Sequence, residues 1–299
     1  MDVEVRPPEA FAWREACALP WTADPDALQA LEGIGRTEDV HLSPDNRRLA
    51  LVGHLQHRLL VLGVRWTPGP GAPAIHLHSP QQVESPALAH PHGAFWVDDH
   101  TLMVANRRGG APLLHIPDAS PDTAALVLEP VACLRAGSAE TEVHTPGSVS
   151  VARLPGGLLD VLLCNNYAHH VSRWLMDARH GYAPLASVRL LARGLRIPDG
   201  VAHSRDGRWI AVSNHDDHSV GVYRNQEGLG PDCLPDAVLR GLNYPHGLRW
   251  TADARCLLVA DAGLPFVHVY ERRSDRWEGE HRPMATLRTP LRSCTMLSS

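Results

Sequence analysis

The stretch IPDGVAHSRDGRWIAVSNHDDHSVGVY, residues Ile197–Tyr223, decides the fold because its pattern recurs along the chain. An apolar segment is followed by a tight polar turn (SRDG), a second apolar segment (WIAVS), a polar loop and a third apolar segment (VGVY). Short apolar segments separated by turn residues predict antiparallel strands. The same order recurs in four further segments, with starts about 47 to 55 residues apart, at Thr37, His90, Thr145 and Tyr244.

The repeats predict an all-β fold, a six-bladed β-propeller of four-stranded antiparallel sheets in a single domain, 1–299. A weaker fourth strand fits before each next repeat, and radial repetition of such sheets builds a propeller. The tail from Thr289 repeats the Thr-Pro opening of the third segment. It therefore predicts the first strand of a sixth sheet, with residues 1–36 and 289–299 closing that blade. The alternative is five blades plus an N-terminal cap, because DPDALQALEG (24–33) is also compatible with a helical turn.

Composition excludes several function classes. The chain carries 28 basic and 33 acidic residues, so no basic excess favours nucleic acid as a partner. Every basic residue is arginine, which excludes a lysine Schiff base, a pyridoxal-phosphate anchor and a P-loop lysine. No apolar run is long enough to span a membrane, and the six cysteines form no C-x-x-C pair. The acidic, Pro-rich opening MDVEVRPPEAF predicts no signal peptide. We therefore expect a soluble, cytoplasmic protein without a membrane partner.

One position just before the first strand of each repeat carries residues that commonly bind metals. Because the first strand of a propeller blade lines the central channel, these side chains are predicted to surround the channel mouth. Two imidazoles and two carboxylates favour Zn, Mn or Fe(II) over Ca or Mg. The remaining two positions, Gly147 and Leu291, leave an open sector for substrate or water. The alternative is that the polar residues serve only the x-Pro-x-Gly turn or bind water in the channel. The predicted metal ligands are Glu38, His92, Asp199 and His246.

A second equivalent position ends the second strand of each repeat, at Gly53, Asn106, Asn165, Asn214 and Asp261. The three asparagines are predicted to orient metal ligands or substrate through hydrogen bonds. The alternative is that they cap the following loop through Asx-type bonds. Asp261 is a candidate general base, because a carboxylate beside a metal-bound water can accept its proton.

The loops after the second strands are rich in histidine. His54 and His215 are candidate catalytic residues and His170 a candidate substrate contact, because none of the three has an equivalent in every repeat. The histidines that align just before the third strand, at positions 57, 169 and 218, are interpreted as structural. Arg107 is predicted to bind a substrate carboxylate or phosphate with Arg108, the alternative being that both are merely solvated.

The segments from Ile197 and Tyr244 resemble blades of the six-bladed SMP-30/gluconolactonase-like and NHL-type propellers, over about residues 37–295. In SMP-30-like lactonases a Glu, an Asn and an Asp hold a divalent metal at the channel mouth. The resemblance places Glu38 at that Glu, Asp199 at the Asn and His246 at the Asp. The two Pro-His-Gly motifs, at His92 and His246, are instead similar to those of metal-dependent propeller lyases, including peptide-amidating and streptogramin lyases.

The sequence therefore favours a metal-dependent enzyme acting on a small molecule or short peptide. The expected reaction is hydrolysis of a lactone-type ester, or a lyase or isomerase step. The motifs of serine hydrolases, dinucleotide-binding proteins and zincins are missing from the sequence. The alternative is a non-catalytic NHL-like propeller that binds a peptide or protein, since one fold can serve several functions.

Overall fold

The computed structural model describes residues 13–15, 19–69, 73–119, 125–135 and 143–289. The chain divides into two compact units, one comprising residues 19–192 and the other residues 193–299 with residues 1–18. The described residues form five β-sheets and one α-helix, Pro25–Gly33. Among them, no helix is long and apolar enough to cross a membrane.

In the unit of residues 19–192, each of the first three repeats builds one sheet from consecutive antiparallel strands. The first sheet contains Thr37–Leu42, Arg48–Gly53, Arg58–Thr67 and Ala74–Glu84, with Trp21–Ala23 and Ala125–Val127 pairing in parallel with the last of these. The second contains Pro91–Trp96, Thr101–Asn106, Ala111–His115 and Ala132–Leu134. The third contains Pro146–Arg153, Leu158–Asn165, His170–Asp177 and Ala183–Leu191, with short 3-10 turns at Pro155–Gly157 and Ala178–His180.

In the other unit, the last two repeats build the fourth and fifth sheets. The fourth contains Pro198–His203, Trp209–Asn214, Ser219–Arg224, Ala237–Leu239 and the parallel strand Gly279–His281, with a 3-10 turn at His215–Asp217. The fifth contains Pro245–Trp250, Cys256–Asp261, Phe266–Glu271, Ala285–Arg288 and the parallel strand Trp13–Glu15.

The turn between the first and second strands has the same chemistry in three repeats. In the pairs Ser43–Asp45, Ser204–Asp206 and Thr251–Asp253 a hydroxyl donates to a carboxylate two residues later, at 2.6, 2.5 and 2.6 Å. Each hydroxyl oxygen also accepts a backbone N–H from five residues later. Such side-chain bonds specify a tight reversal, which explains why these positions carry S/T-x-D in the sequence.

The hydrophobic core lies between successive sheets of each unit. One cluster joins the first and second sheets, another the second and third, and a third the fourth and fifth. The indole N–H of Trp96 donates to the carbonyl of His41 in the preceding sheet at 3.1 Å. Trp250 makes the same bond to Ala202, also at 3.1 Å. The apolar packing between successive sheets is thus supplemented by a polar link at equivalent positions.

The N-terminal segment does not form a sixth sheet with the tail among the described residues. Trp13–Glu15 joins the fifth sheet beside Ala285–Arg288, and Trp21–Ala23 joins the first sheet. The helix Pro25–Gly33 buries Ala27 and Ala30 in an apolar cluster with strands of the first sheet. The six-bladed prediction is therefore corrected to five sheets with an N-terminal helical cap, the alternative that the sequence left open. The predicted strand after Thr289, including Leu291, lies outside the described residues.

Candidate functional site

The candidate ligands all lie at interruptions of the first strands. In every sheet the pairing between the first and second strands shifts register close to the strand's beginning. The shifts fall between Thr37 and Val40, Pro91 and Gly93, Pro146 and Ser148, Pro198 and Gly200, and Pro245 and Leu248. The skipped residues include the five aligned from the sequence, Glu38, His92, Gly147, Asp199 and His246. A bulge removes a residue from the ladder and redirects its side chain, so the fold treats this position alike in all five repeats.

In four repeats, the residue before the proline that precedes the bulge position has a left-handed backbone. His90, Thr145, Ile197 and Tyr244 have φ values of 51°, 49°, 54° and 60°. Each of their carbonyls accepts an N–H from the residue that follows the second strand. A non-glycine residue in this region costs on the order of 1–3 kcal/mol. Strain is therefore stored directly beside His92, Asp199 and His246.

The residues that end the second strands hold this strained segment in place. Their side-chain oxygens accept the backbone N–H of the residue that precedes each left-handed one. The pairs are Asn106 with Ala89, Asn165 with His144, Asn214 with Arg196 and Asp261 with Asn243, at 3.1, 2.8, 2.5 and 2.7 Å. This geometry favours the loop-capping interpretation of the asparagines over direct contact with a ligand.

Asp261 has a further set of partners. Its Oδ1 accepts the N–H groups of Gly263 and Leu264 at 3.0 and 3.1 Å. Its Oδ2 lies 3.3 Å from Nε2 of the buried His268. These contacts hold the carboxylate of Asp261 in one orientation. The structure thus favours an anchoring role for Asp261 over its predicted role as a general base.

Two glycines of the Pro-x-Gly turns allow neighbouring sheets to approach closely. A Cβ on Gly93 would lie 2.7 Å from the carbonyl oxygen of Gly147. A Cβ on Gly200 would lie 2.1 Å from the carbonyl oxygen of His246. Both contacts are too short for a side chain, so glycine is required where the next repeat's bulge is placed.

Glu38 and His92 form one acid–imidazole pair, in the unit of residues 19–192. His92 Nε2 lies 3.5 Å from Glu38 Oε2, and both side chains are less than 10% exposed. Arg107 Nη2 lies 2.9 Å from His92 Nε2, and Arg36 Nε lies 2.6 Å from Glu38 Oε1. His92 Nδ1 lies 2.7 Å from the carbonyl oxygen of Gly147. A carbonyl only accepts and a guanidinium only donates, so these two contacts together place a proton on Nδ1 of His92 and leave Nε2 as the acceptor.

Asp199 and His246 form a similar pair in the other unit. His246 Nε2 lies 2.5 Å from Asp199 Oδ2. The carboxylate is buried, with 3% of the side chain exposed, whereas the imidazole is 26% exposed. A buried acid is thus joined to a histidine that remains accessible to a small molecule.

The predicted loop histidines stand beside these pairs in the same way. The ring of His54 lies 6.0 Å from that of His92, edge to face, and His215 lies 6.0 Å from His246 in a comparable orientation. His54 Nδ1 donates to the carbonyl of Pro91 at 3.2 Å, and His215 Nδ1 lies 2.9 Å from a carboxylate oxygen of Asp216. Each unit therefore brings a loop histidine to a bulge histidine.

The histidines interpreted as structural make a common contact in two repeats. His57 Nδ1 accepts the backbone N–H of His90 at 2.8 Å, and His218 Nδ1 accepts that of Tyr244 at 3.1 Å. Burial lowers the pKa of His90, and the neighbouring His57 and Arg108 lower it further. His57 and His218 thus support the left-handed residues.

His170 is less accessible than its predicted contact with substrate requires. It begins the third strand of the third sheet, is 1% exposed, and its Nδ1 lies 3.2 Å from the carbonyl of Ala168. Because the side chain is covered by the protein, the structure does not favour the predicted substrate contact.

Sequence reasoning missed three residues beside the pairs. Arg36 contacts Glu38 and Asp216 contacts His215. The guanidinium carbon of Arg107 lies 5.8 Å from the ring centroid of Tyr167. Arg36 and Asp216 each lie within two residues of a predicted site residue, which is the signal that could have identified them. Tyr167 belongs to a different repeat from Arg107, and no sequence pattern connects the two.

Comparison with known proteins identifies the fold. The Gmad1 family, described as the lipoprotein LpqB beta-propeller domain, matches residues 15–149. A search of curated proteins found no match.

Three solved structures share the fold. A functionally unknown protein from Desulfotomaculum acetoxidans DSM 771 has 14% identity and a TM-score of 0.50, with 79% of this chain and 65% of that chain covered. Two others are provisionally named 6-phosphogluconolactonases. The one from Bacteroides uniformis ATCC 8492 has 13% identity, a TM-score of 0.52 and coverage of 79% and 66%. The one from Bacteroides fragilis NCTC 9343 has 16% identity, a TM-score of 0.53 and coverage of 83% and 69%.

The comparisons confirm the predicted all-β β-propeller and, at such low identity, indicate no more than the fold. The chain spans just under two thirds of the length of the first two structures, at 65% and 66%.

Proposed function

We propose that this protein is a metal-dependent enzyme that acts on a small carbonyl compound, with lactone hydrolysis as its reaction. One observation carries the proposal. The buried carboxylate of Asp199 and the accessible imidazole of His246 lie 2.5 Å apart on two strand bulges. Bulges beside a functional centre commonly redirect side chains toward a ligand.

The Asp199–His246 pair fits a divalent metal. One imidazole nitrogen and one carboxylate oxygen suit Zn, Mn or Fe(II). Donors bound at about 2.0–2.1 Å in tetrahedral geometry lie about 3.3 Å from each other. The two atoms here are 2.5 Å apart, so a small separation would suffice. When bound, the metal would polarise the substrate carbonyl and lower the pKa of a bound water.

The side chains around the pair have separate tasks. Asp199 Oδ2 and His246 Nε2 would both bind the metal, which would take the place of the proton that they share at 2.5 Å. His215, whose Nδ1 faces Asp216, has Nε2 as the nitrogen that would accept a proton during hydrolysis. Asn214 keeps the loop that bears His215 against the strained segment before Asp199.

The Glu38–His92 pair fits a metal less well. The guanidinium of Arg107 stands 2.9 Å from His92 Nε2, the nitrogen that would coordinate a metal. A bound cation there would require Arg107 to move away, because like charges at this distance repel. We therefore assign metal binding first to Asp199 and His246, and keep Glu38 and His92 as predicted ligands for testing.

The name of two structural neighbours makes lactones the first substrate class to test. The rate of glucono-δ-lactone hydrolysis would be measured from the release of protons, with protein loaded with Zn, Mn or Fe(II). We expect acceleration over the uncatalysed rate and a loss in His246→Ala of about 10²-fold or more. His115→Ala is the matched control, since His115 is exposed and lies on a third strand. Equal rates in wild type, His246→Ala and a protein-free sample would reject the proposal.

The alternative is a non-catalytic propeller that binds a peptide or protein. The Arg107–His92 contact favours this alternative. A guanidinium bound at the nitrogen that would otherwise coordinate a metal gives His92 a structural role that involves no catalysis. On this alternative His246→Ala would bind no less metal than the wild type, and no lactone would be hydrolysed.

A further inference from the structure

Two histidines on the fourth strand of the first sheet lie on the same face. His76 and His78 are two residues apart in Ala74–Glu84, and alternate residues of a strand share a face of the sheet. Their rings are nearly parallel, at an interplanar angle of 19°, with centroids 6.1 Å apart. Neither belongs to the two acid–imidazole pairs described above, so they are a separate candidate site.

Each of the two rings is held by a hydroxyl at Nδ1. Thr22 Oγ1 lies 2.9 Å from His76 Nδ1, and Ser79 Oγ lies 3.0 Å from His78 Nδ1. Histidines that bind metals are commonly oriented by such a bond at the nitrogen that does not coordinate the metal. Among the described residues, none forms a hydrogen bond or ion pair with His78 Nε2. Nε2 is therefore the atom that each ring would offer to a cation.

A carboxylate completes the cluster. Asp24 Oδ1 lies 3.2 Å from His76 Nε2, and both side chains are partly exposed, at 48% and 28%. Asp24 is the N-cap of the helix Pro25–Gly33, where an aspartate usually accepts a backbone N–H of the first turn. Its side chain makes no such bond and contacts His76 instead. The usual capping bond is thus given up for a contact with the imidazole.

The backbone beneath His78 is shaped to receive its ring. A Cβ on Gly63, its partner on the neighbouring strand, would lie 2.6 Å from His78 Nδ1, so the ring lies directly against the glycine. Ser79 has a left-handed backbone, with φ of 47°, and the strand pairing shifts register beside it, between Val61 and Gly63. Bulges and left-handed residues are over-represented beside binding sites.

His78 is suited to bind a metal near neutral pH. Burial lowers the pKa of His78, and the nearby Arg65 and His76 lower it further, against the opposing charges of Asp24 and Asp26. A metal binds an imidazole only in its neutral form, so a lowered pKa favours binding. The two carboxylates attract a cation to this ring, whereas Arg65 repels it.

We propose that His76, His78 and Asp24 form a site for a divalent transition metal ion, with Cu(II) bound most tightly. Two nitrogens and one oxygen suit the tetragonal geometry of Cu(II), which also has the highest affinity among the divalent first-row metals. Two imidazoles bound at about 2.0–2.1 Å to one ion have ring centroids about 4.5–5 Å apart. The two rings are 6.1 Å apart, so a small rotation of the side chains would suffice.

The bound ion would join two segments of the chain. Asp24 lies between the strand Trp21–Ala23 and the helix Pro25–Gly33, whereas both histidines lie on the first sheet. A ligand that binds only the folded state stabilises it. Cu(II) should therefore slow amide hydrogen exchange in Pro25–Gly33. This role does not depend on the proposed function, because it needs no reaction.

Titration with Cu(II), with glycine as a competing chelator, tests the site in the Asp199→Asn/His246→Ala double variant, which lacks the proposed catalytic site. We expect about one ion per chain, with an electron paramagnetic resonance signal split by two nitrogen nuclei. His78→Ala in this background should weaken binding about tenfold or more and remove one nitrogen coupling. Asp24→Asn should weaken it about threefold or more, because the anionic ligand is lost.

His180→Ala is the matched control, since His180 also lies beside an aspartate, at 2.8 Å, but in a turn of the third sheet. It should leave the affinity unchanged, whereas Arg65→Gln should bind Cu(II) about threefold more tightly, because a repelling charge is removed. Equal affinity in His78→Ala and His180→Ala would overturn the proposal, as would a signal without nitrogen splitting. If His78→Ala does not fold, His78→Gln takes its place, and unchanged affinity in the surface variant Arg65→Gln would count against the site too.

Discussion

At the scale of single residues, the candidate site depends on pairs of an acid and an imidazole in unlike surroundings. His92 is bonded at both ring nitrogens, to Gly147 and to Arg107. His246 is a quarter exposed and contacts a buried carboxylate. The same residue types at equivalent repeat positions therefore have different surroundings, and we expect His92 to position Arg107 and His246 to take part in the proposed chemistry.

A titratable residue far from the pairs gives a test of the structure by pH. A hydrogen bond from His180, aided by the N–H and guanidinium of Arg179, lowers the pKa of Asp177 to about 2. Because this pKa is below the ordinary value of 3.8, Asp177 stabilises the fold above pH 4. That contribution is lost as the pH falls from about 4 toward 2.

Asp177→Asn should accordingly unfold at lower urea concentration than wild type at pH 7, with the difference shrinking toward pH 3. His180→Ala should show part of the same loss, because it removes the largest cause of the shift. Urea denaturation at pH 7, 4 and 3 measures both. A difference between Asp177→Asn and wild type that is constant with pH would contradict the assigned pKa.

Among the residues predicted from the sequence, those at the bulges were found because the repeats align at one position, which lies in a Pro-x-Gly turn in three of them. Periodicity could not predict the contacts of Arg107 with His92 and Tyr167, since they join side chains about 15 and 60 positions apart. The burial of His170 was missed because its place at the start of the third strand does not reveal whether its side chain is covered by the protein.

At the scale of elements, the repeated unit is a strained segment, a bulge and a clamp. In four repeats the left-handed residue lies just before the first strand, the proline and the bulge residue lie at the start of that strand, and the clamping Asn or Asp ends the second strand. The S/T-x-D turn and the short apolar segments on either side of it define the strands in the sequence. The bulge itself was not predicted, because an extra residue in one strand does not alter the hydrophobic pattern visibly.

Removal of one clamp should weaken its sheet. The side chain of Asn214 accepts the N–H of Arg196 and donates to the carbonyl of Gly194 at 2.9 Å. Asn214→Ala leaves both backbone groups without this partner, so the free energy of unfolding should fall by about 1–3 kcal/mol. Chemical denaturation checks this, with the exposed Gln226→Ala expected within about 0.5 kcal/mol of wild type. A loss as small as that of the control would show that Asn214 is not a clamp.

At the scale of the whole molecule, both chain ends contribute to the fifth sheet. Trp13–Glu15 pairs in parallel with Ala285–Arg288, the register placing Trp13 opposite Thr286. The sequence predicted that the N-terminal residues would pair near the C-terminus, but in a sheet of their own. Three residues of strand are too short to show a period of two, which explains why the sequence could not assign them to the fifth sheet.

Deletion of residues 1–18 should therefore expose one edge of Ala285–Arg288. Amide hydrogen exchange there should accelerate about tenfold or more, because a paired strand becomes an edge. Exchange in Leu158–Asn165, a central strand of the third sheet, provides the control and should not change. Identical exchange of Ala285–Arg288 in both proteins would contradict the pairing.

The most direct test of the central claim is the metal content of the purified, tag-free protein, measured by plasma mass spectrometry after loading with Zn, Mn or Fe(II) and removal of excess. The account predicts about one ion per chain in wild type and in His115→Ala, and its loss in both Asp199→Asn and His246→Ala. If Glu38→Gln retains the metal, the ligands are confined to the Asp199–His246 pair. If Glu38→Gln loses the metal, the prediction of four ligands stands again. A wild-type protein that binds none of the three metals, or variants at Asp199 and His246 that bind as much as wild type, would contradict the account.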